Sequence, residues 1–273
     1  MNVAKLHLQA WLCRAPLLYN ALLQAKGGSG LEKRTFLQMV CPGDVVCDIG
    51  ANRGYFTELF YHLAGAKGVV HAFEPGEPTF RRLTAELHFA KPARLVLNHQ
   101  AVGDREGVVD IFLPNGDDGQ ASLGQHSDGS WQQGGGIVRY VAEITSLDSY
   151  STKVGLQRLD FVKIDIEGAG LLALRGARET LRRFRPWLCL EMSEEWMKAF
   201  AATPELLAEE LTSCGYREAF LMQETLEPVD LSTRPLLPAA FVGSANLLCV
   251  GANIRRRDRL ERVGLVPRRS GSQ

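Results

Sequence analysis

The chain has 273 residues, 45% of them hydrophobic and 23% charged, enough to bury a full core in one large domain with appendages. Its 31 lysines and arginines balance 31 aspartates and glutamates, which excludes a global electrostatic pull toward nucleic acid or an anionic membrane. None of the six cysteines forms a C-x-x-C pair, and Cys47, Cys189 and Cys249 fall in apolar runs, so reduced thiols and a cytoplasmic location are expected.

No apolar run approaches the roughly 20 residues that an integral membrane span needs. The segment Trp11-Leu12-Cys13-Arg14-Ala15-Pro16-Leu17-Leu18 is interrupted by Arg14 and Pro16 and lacks a small-residue cleavage site. It therefore reads as an accessory helix packed on the domain rather than a signal peptide, with an interfacial membrane helix as the alternative. Residues 1–40 are expected to form an N-terminal helical extension, broken at Gly27-Gly28-Ser29-Gly30.

The turn Pro42-Gly43-Asp44 launches a strand over 45–49. Phe56, Leu59, Phe60 and Leu63 recur at helical spacing after it. Val69 to Phe73 is a second strand, and Pro78 opens a helix striped by Phe80, Leu83 and Leu87. Leu95 to Asn98 is a third strand. This alternation predicts a parallel sheet with helices on both faces. It pauses over 104–158, where Val108–Leu113 and Ile137–Val141 read as a β-hairpin insertion. The Gly-, Asp-, Gln- and Ser-rich stretch from Pro114 to Gly136 is expected to serve as a lid. Strands then follow at Phe161–Asp165 and Trp187–Glu191. A helix starts at Thr203-Pro204-Glu205 and stops at Gly215. Phe220-Leu221 and Asn246–Val250 supply the last two strands, which closes the main domain at 41–251. The arginine-rich segment 252–273 reads as a solvated, disordered tail.

The most informative segment is Val45-Val46-Cys47-Asp48-Ile49-Gly50-Ala51-Asn52-Arg53-Gly54. An apolar strand, a tight glycine turn and a helix N-terminus are the parts of a nucleotide cradle. Dinucleotide sites place a pyrophosphate there and want G-x-G-x-x-G. Here Asn52 and Gly54 break that pattern, and a carboxylate precedes it. An acid at position 48 suits a ligand that carries a positive charge, such as the ammonium of S-adenosylmethionine (SAM). Methyl transfer is thus favoured over hydride transfer with NAD.

Ligands of open α/β sheets lie beyond the carboxyl ends of the strands. Asp48, Glu74, Asp165 and Glu191 all fall at such ends. Glu74 has two oxygens for two ribose hydroxyls. Asp165 and Glu167 at i, i+2 can face one cavity, and either could take a proton from an alcohol acceptor. His71, in mid-strand, reads as a core histidine, and His99 as a weaker candidate base. A divalent metal shared by Asp165, Glu167 and Glu191 is conceivable, but no histidine joins them at ligand spacing, and no metal is assigned.

From Val45 to Glu191 the chain resembles the FkbM family of class I SAM-dependent methyltransferases. The resemblance rests on Val46–Gly54, Phe73-Glu74-Pro75, Ala101-Val102-Gly103-Asp104, Thr145-Ser146-Leu147-Asp148 and Asp160–Gly168, followed by Leu171–Gly176. The block Lys163-Ile164-Asp165-Ile166-Glu167-Gly168 is the most specific. The resemblance implies a Rossmann-like seven-stranded sheet with one antiparallel strand, and methylation of a hydroxyl on a small molecule, natural product or sugar. It also implies that Asp48, Gly50, Asn52, Gly54 and Glu74 contact SAM, that Ala101 lies near the adenine, and that Asp165 lies by the methyl group. Ser122-Leu123 resembles a family segment near the active site. Gly170 stands where the family often has a second glutamate. Two readings compete with a soluble O-methyltransferase: an NAD-dependent oxidoreductase, and an inactive methyltransferase fold serving as a partner module.

Overall fold

Near-continuous runs of Val, Ile, Leu and Cys thread the centre of the computed structural model, which describes residues 3–25, 30–114, 121–124, 136–236 and 243–267. Three helices come first: α1 (Val3–Leu12), α2 (Pro16–Ala25) and α3 (Leu31–Met39). Strand and helix then alternate through β1 (Val45–Ile49), α4 (Tyr55–Ala64), β2 (Val69–Phe73), α5 (Glu77–Glu86), β3 (Leu95–Asn98) and the short β4 (Ala101–Val102). The hairpin β5 (Gly107–Pro114) and β6 (Ile137–Thr145) leads to α6 (Leu147–Lys153). Next come β7 (Phe161–Ile164), α7 (Gly170–Arg175), α8 (Arg178–Phe184) and β8 (Trp187–Ser193). The C-terminal part holds α9 (Glu194–Met197), α10 (Pro204–Ser213), β9 (Glu218–Met222), β10 (Leu226–Asp230), β11 (Ser244–Cys249) and α11 (Arg255–Arg262).

Local chemistry sets several of these boundaries. The Thr203 hydroxyl accepts the Leu206 N–H at 3.2 Å while Pro204 occupies the first turn, so α10 starts where the sequence predicts. The Ser146 hydroxyl caps α6 in the same way, accepting from Ser149 at 3.1 Å.

The main sheet has eight strands in the order β10-β9-β11-β8-β7-β1-β2-β3. From β3 to β8 all neighbours are parallel. β11 runs antiparallel to β8 and β9, and β10 runs antiparallel to β9. The expected seven strands with one reversed are thereby corrected to eight with two reversed. The extra strand is β10, an edge strand containing Pro228 and Glu227 whose centre is exposed, so it lacks the apolar run that marks a strand. Separately, β4, β6 and β5 form a three-stranded sheet, with β5 and β6 paired from Gly107↔Ile144 to Pro114↔Ile137. The hairpin expected within 104–158 is this pair. Most of the stretch read as a lid, 115–120 and 125–135, lies outside the described residues.

Both faces of the sheet are covered. Cys47, Ile49, Val162, Ile164 and Leu190 pack on one side with Leu171, Leu174, Leu207 and Leu211. Val46, Val70, Phe161 and Cys189 pack on the other with Phe36, Leu37, Leu59 and Phe60. Successive strand residues thus alternate between two cores, which is why these strands read as unbroken apolar runs. The rings of Phe36, Phe60 and Phe161 meet edge to face with centroids 5.4–5.5 Å apart, tying α3 and α4 to β7.

One further correction concerns the C-terminus. Residues 255–262, expected to be part of a solvated tail, form α11. Arg256 is 2% exposed and grips Asp44 with two hydrogen bonds of 2.8 and 3.0 Å, and Leu260 is fully buried. Seven arginines dominate the composition of residues 252–273, but one buried guanidinium and one leucine anchor the helix. Among the described residues, no helix is long and apolar enough to cross a membrane.

Candidate active site

The loops that follow β1, β2, β3 and β7 surround a cavity. It lies beyond the carboxyl ends of the parallel strands, where α/β sheets place ligands. Its polar wall includes Gly50, Asn52, Glu74, Gln100, Asp165 and Glu167, and its apolar wall includes Phe73, Ala101, Val102, Ile111 and Leu123.

The turn after β1 is built for close approach. Gly50 has φ +82°, and a Cβ there would sit 1.8 Å from the Asp165 carbonyl oxygen, so only glycine lets the ends of β1 and β7 meet. The N–H groups of Gly50 and Ala51 both donate to the Phe73 carbonyl, at 3.1 and 2.9 Å. Asn52 also adopts a left-handed conformation, φ +49°, and its N–H donates to Glu74 Oε2 at 2.9 Å. Glu74 Oε1 accepts the Gly76 N–H at 2.8 Å. Each carboxylate oxygen therefore holds one backbone donor and keeps capacity for another. Burial pushes the Glu74 carboxyl up to about 7, against the opposing pull of the Gly76 and Asn52 N–H groups.

Two expected ligand contacts are placed elsewhere. Gly54, at φ +87°, precedes α4, and a Cβ there would lie 2.7 Å from Leu83 Cδ1. It serves the packing of α4 on α5 and does not line the cavity. Asp48 does not line it either. Its side chain points to the α3–α4 side of the sheet and the residue is 1% exposed; Oδ2 accepts the Thr57 hydroxyl at 2.6 Å. This corrects the expectation that Asp48 faces a ligand directly. Its Oδ1 has no hydrogen-bond partner among the described residues, which marks an acceptor left unused behind the glycine turn. Burial raises the Asp48 carboxyl, and the Lys163 charge opposes that.

Lys163 is the residue that strand reading alone passed over. It is the register partner of Asp48, is 3% exposed, and donates to Asp165 Oδ2 at 2.8 Å. Its ammonium lies 5.3 Å from the centre of the Phe56 ring. The signal was present in the sequence: a lone cation in the middle of the apolar run Phe161-Val162-Lys163-Ile164 must be paired if that run is buried.

Asp165 and Glu167 both line the cavity. Burial favours the neutral form of Asp165, but the Lys163 charge and hydrogen bond, with a further hydrogen bond from Glu191, hold it below the usual carboxylate range. Burial, then the charges of Asp165 and Glu167, push Glu191 well above that range. The two carboxyls titrate as a pair, Asp165 drawn toward its ionised form and Glu191 toward its neutral form. Glu167 sits at φ +52°, an uncommon conformation for a side chain with a Cβ, and its carbonyl accepts the Ser122 hydroxyl at 3.3 Å. The Ser122 backbone pairs with Phe112 of β5 at 2.8 and 3.0 Å, and the neighbouring Leu123 closes the wall. Gly170 packs against Leu190, where a Cβ would lie 2.8 Å from its Cδ1.

His71 and His99 fall outside the site. His71 is 7% exposed with Nδ1 2.8 Å from the Tyr150 hydroxyl, and burial lowers it to about 4, as befits a core histidine. His99 stacks on Phe80 with centroids 4.6 Å apart and meets Glu77 at 3.4 Å; its neighbour Gln100 lines the cavity instead. Among the described residues no three His, Cys, Asp or Glu side chains are grouped to hold a metal ion.

Comparison with known proteins gives concordant matches. A model of the methyltransferase FkbM domain matches residues 48–218, more than half of the chain. The 2-O-methyltransferase NoeI of Sinorhizobium fredii is 29% identical over 154 residues, covering 53% of this chain and 61% of that protein. The 31-O-demethyl-FK506 methyltransferase FkbM of Streptomyces tacrolimicus is 46% identical over 67 residues, covering 24% of this chain and 25% of that protein. Among solved structures, the methyltransferase FkbM of Methylobacillus flagellatus KT superposes with a TM-score of 0.50 at 16% identity, covering 80% of this chain and 46% of that one. In each case the match spans less than two thirds of the relative's length.

Proposed function

The chain belongs to the family of FkbM methyltransferase domains, and from that premise we propose that it transfers a methyl group from SAM to a hydroxyl oxygen of a small molecule, natural product or sugar. The observation that carries this reading is one cavity joining the glycine turn and Glu74 at one wall to Asp165, held by Lys163, at another. The printed names of two relatives, a 2-O-methyltransferase and a 31-O-demethyl-FK506 methyltransferase, support an oxygen acceptor.

The residues present fit this donor. The remaining acceptor capacity of Glu74 suits a ribose diol, and Ala101, Val102 and Ile111 offer an apolar slot of the kind an adenine ring fills. Gly50 and Asn52 bring backbone to the cavity wall. Gly54 supports the same cradle through helix packing. When bound, SAM supplies a methyl group on a sulfonium, which an oxygen nucleophile can displace in line. The chain's own task is to orient the acceptor and receive its proton. Asp165 or Glu167 takes that proton, and Lys163 keeps Asp165 in the form able to do so.

NAD binding is disfavoured, because a pyrophosphate at this turn would meet the field of Asp48 without the second and third fingerprint glycines. All six cysteines are free thiols, as a reducing cytoplasm would keep them. The zero net charge supports a small acceptor over nucleic acid. Incubation with labelled SAM and a panel of hydroxylated metabolites and glycans tests the proposal. Label transfer to oxygen is expected, and SAM binding without turnover on any acceptor would favour the partner-module reading.

A further inference from the structure

The two N-terminal helices carry apolar side chains on both sides. Leu12, Cys13 and Tyr19 are buried in the cluster that contains Phe36, Leu37 and Phe60. On the outer side Leu8, Trp11, Leu17, Leu18 and Leu22 are 42–57% exposed. Among the described residues, five of the twelve exposed large hydrophobics thus fall between positions 8 and 22. A surface helix ordinarily turns a polar stripe outward, and a concentrated apolar patch marks a surface that something covers.

Local charge identifies the cover. The first 31 residues contain Lys5, Arg14 and Lys26 and no aspartate or glutamate, in a chain whose total charge is zero. Beside the turn between α1 and α2 lies a groove whose lining includes Cys13, Arg14, Pro16, His62, Arg94 and Arg259 and no carboxylate. Arg94 lies 4.1 Å from the centre of the Tyr61 ring and donates to the Tyr61 carbonyl at 2.9 Å. Its buried Nε has no hydrogen-bond partner among the described residues. Arg259 donates to the Leu37 carbonyl at 3.2 Å and to the Cys41 sulfur, so its charge too is met by neutral groups. Glu58, 7% exposed, stands 3.8 Å from His62 at this rim.

Aromatic and leucine side chains outside, arginines alongside and no acid within either helix are the composition of a helix that lies in the headgroup region of a membrane. Each ten-residue helix is about 15 Å long, half of the hydrocarbon core, so the hairpin can lie on a bilayer but not span it. We propose that the α1–α2 hairpin is a docking surface for a bilayer containing anionic phospholipid. Trp11 and the four exposed leucines enter the interface, and Arg14, Arg94 and Arg259 face the head groups. This inference does not rest on methyl transfer.

The test is co-sedimentation of the full chain with vesicles of phosphatidylcholine alone and of phosphatidylcholine mixed with phosphatidylglycerol. Binding to the mixed vesicles is expected, about tenfold weaker to phosphatidylcholine alone and weakened by added salt. Arg14→Glu should weaken it about fivefold or more. The double variant Trp11→Ser/Leu18→Ser should abolish it, with Leu17→Ser/Leu22→Ser as a second pair should the first fail to fold. No binding to either vesicle, or equal binding of folded double variant and wild type, would overturn the proposal. So would light scattering that shows a dimer which the double variant converts to monomers, because a second copy would then cover the face. SAM calorimetry on the same variants should match wild type, which keeps a failure here separate from a failure of the methyl-transfer reading.

Discussion

Glu74 combines nearly complete burial with a site for two incoming donors, so its ionisation and ligand binding are linked. Replacing it with alanine removes two charge-assisted hydrogen bonds to a diol and should weaken SAM binding by about 3 kcal/mol, roughly 100-fold, measured by calorimetry. Since the free carboxyl titrates near 7, wild-type affinity should fall as pH drops through that value. At the opposite wall, Asp165→Asn and Glu167→Gln should leave SAM affinity within about threefold and cut turnover by about 10²–10⁴ where the residue is the base. Initial rates with saturating SAM, set beside calorimetry, separate the two effects, and full activity in both variants would remove the base assignment. The placement of Gly50, Glu74 and Asp165 was legible because each ends a strand whose apolar run is plain. The orientation of Asp48 was not. Strand parity puts Val46 and Asp48 on one face, but only the packing of α3 and α4 over that face shows that Asp48 is covered and leans on Thr57.

At the scale of elements, the contact between α11 and the turn before β1 makes a definite claim. Arg256 and Asp44 are 2% and 3% exposed and bonded through both terminal guanidinium nitrogens, while Arg158 reaches Asp44 more loosely at 3.8 Å. Arg256→Ala leaves the buried Asp44 carboxylate with only the Cys41 N–H and the looser Arg158 contact and should cost about 3 kcal/mol, read by denaturant unfolding. Because the two residues act as a unit, Arg256→Ala combined with Asp44→Ala should cost less than the sum of the single changes. Additivity would mean that α11 is held by Leu260 rather than by the ion pair. This element was illegible for a physical reason: seven arginines in a short segment look solvated, and the acid that buries one of them lies 212 positions earlier. β10 was missed for the complementary reason, since an edge strand needs no apolar run. The alternation from β1 to β8 was legible because both faces of each strand are buried and the turns carry their own glycines and prolines.

Over the whole molecule, the buried acids shape the pH dependence of stability. Glu74 is raised in the folded state from 4.5 to about 7, so its contribution is complete below about 4.5 and is lost as pH rises through 7. That loss amounts to about 3 kcal/mol by mild alkaline pH. Asp165 acts in the other direction: its carboxyl is lowered by Lys163, so its contribution is present above the ordinary aspartate range and is lost in acid. Melting temperature without ligand should therefore peak on the acidic side of neutrality, and Glu74→Gln should flatten the decline between about pH 4.5 and 7. A maximum above pH 8 would contradict this assignment of the two acids. The central claim is that the cavity above β1, β2 and β7 is a SAM site, and calorimetric titration of the full chain with SAM and, separately, with NAD tests it most directly. One SAM per chain, no heat with NAD and a lost SAM signal in Glu74→Ala are the expected results. Saturable NAD binding, or SAM affinity unchanged in Glu74→Ala, would contradict the account.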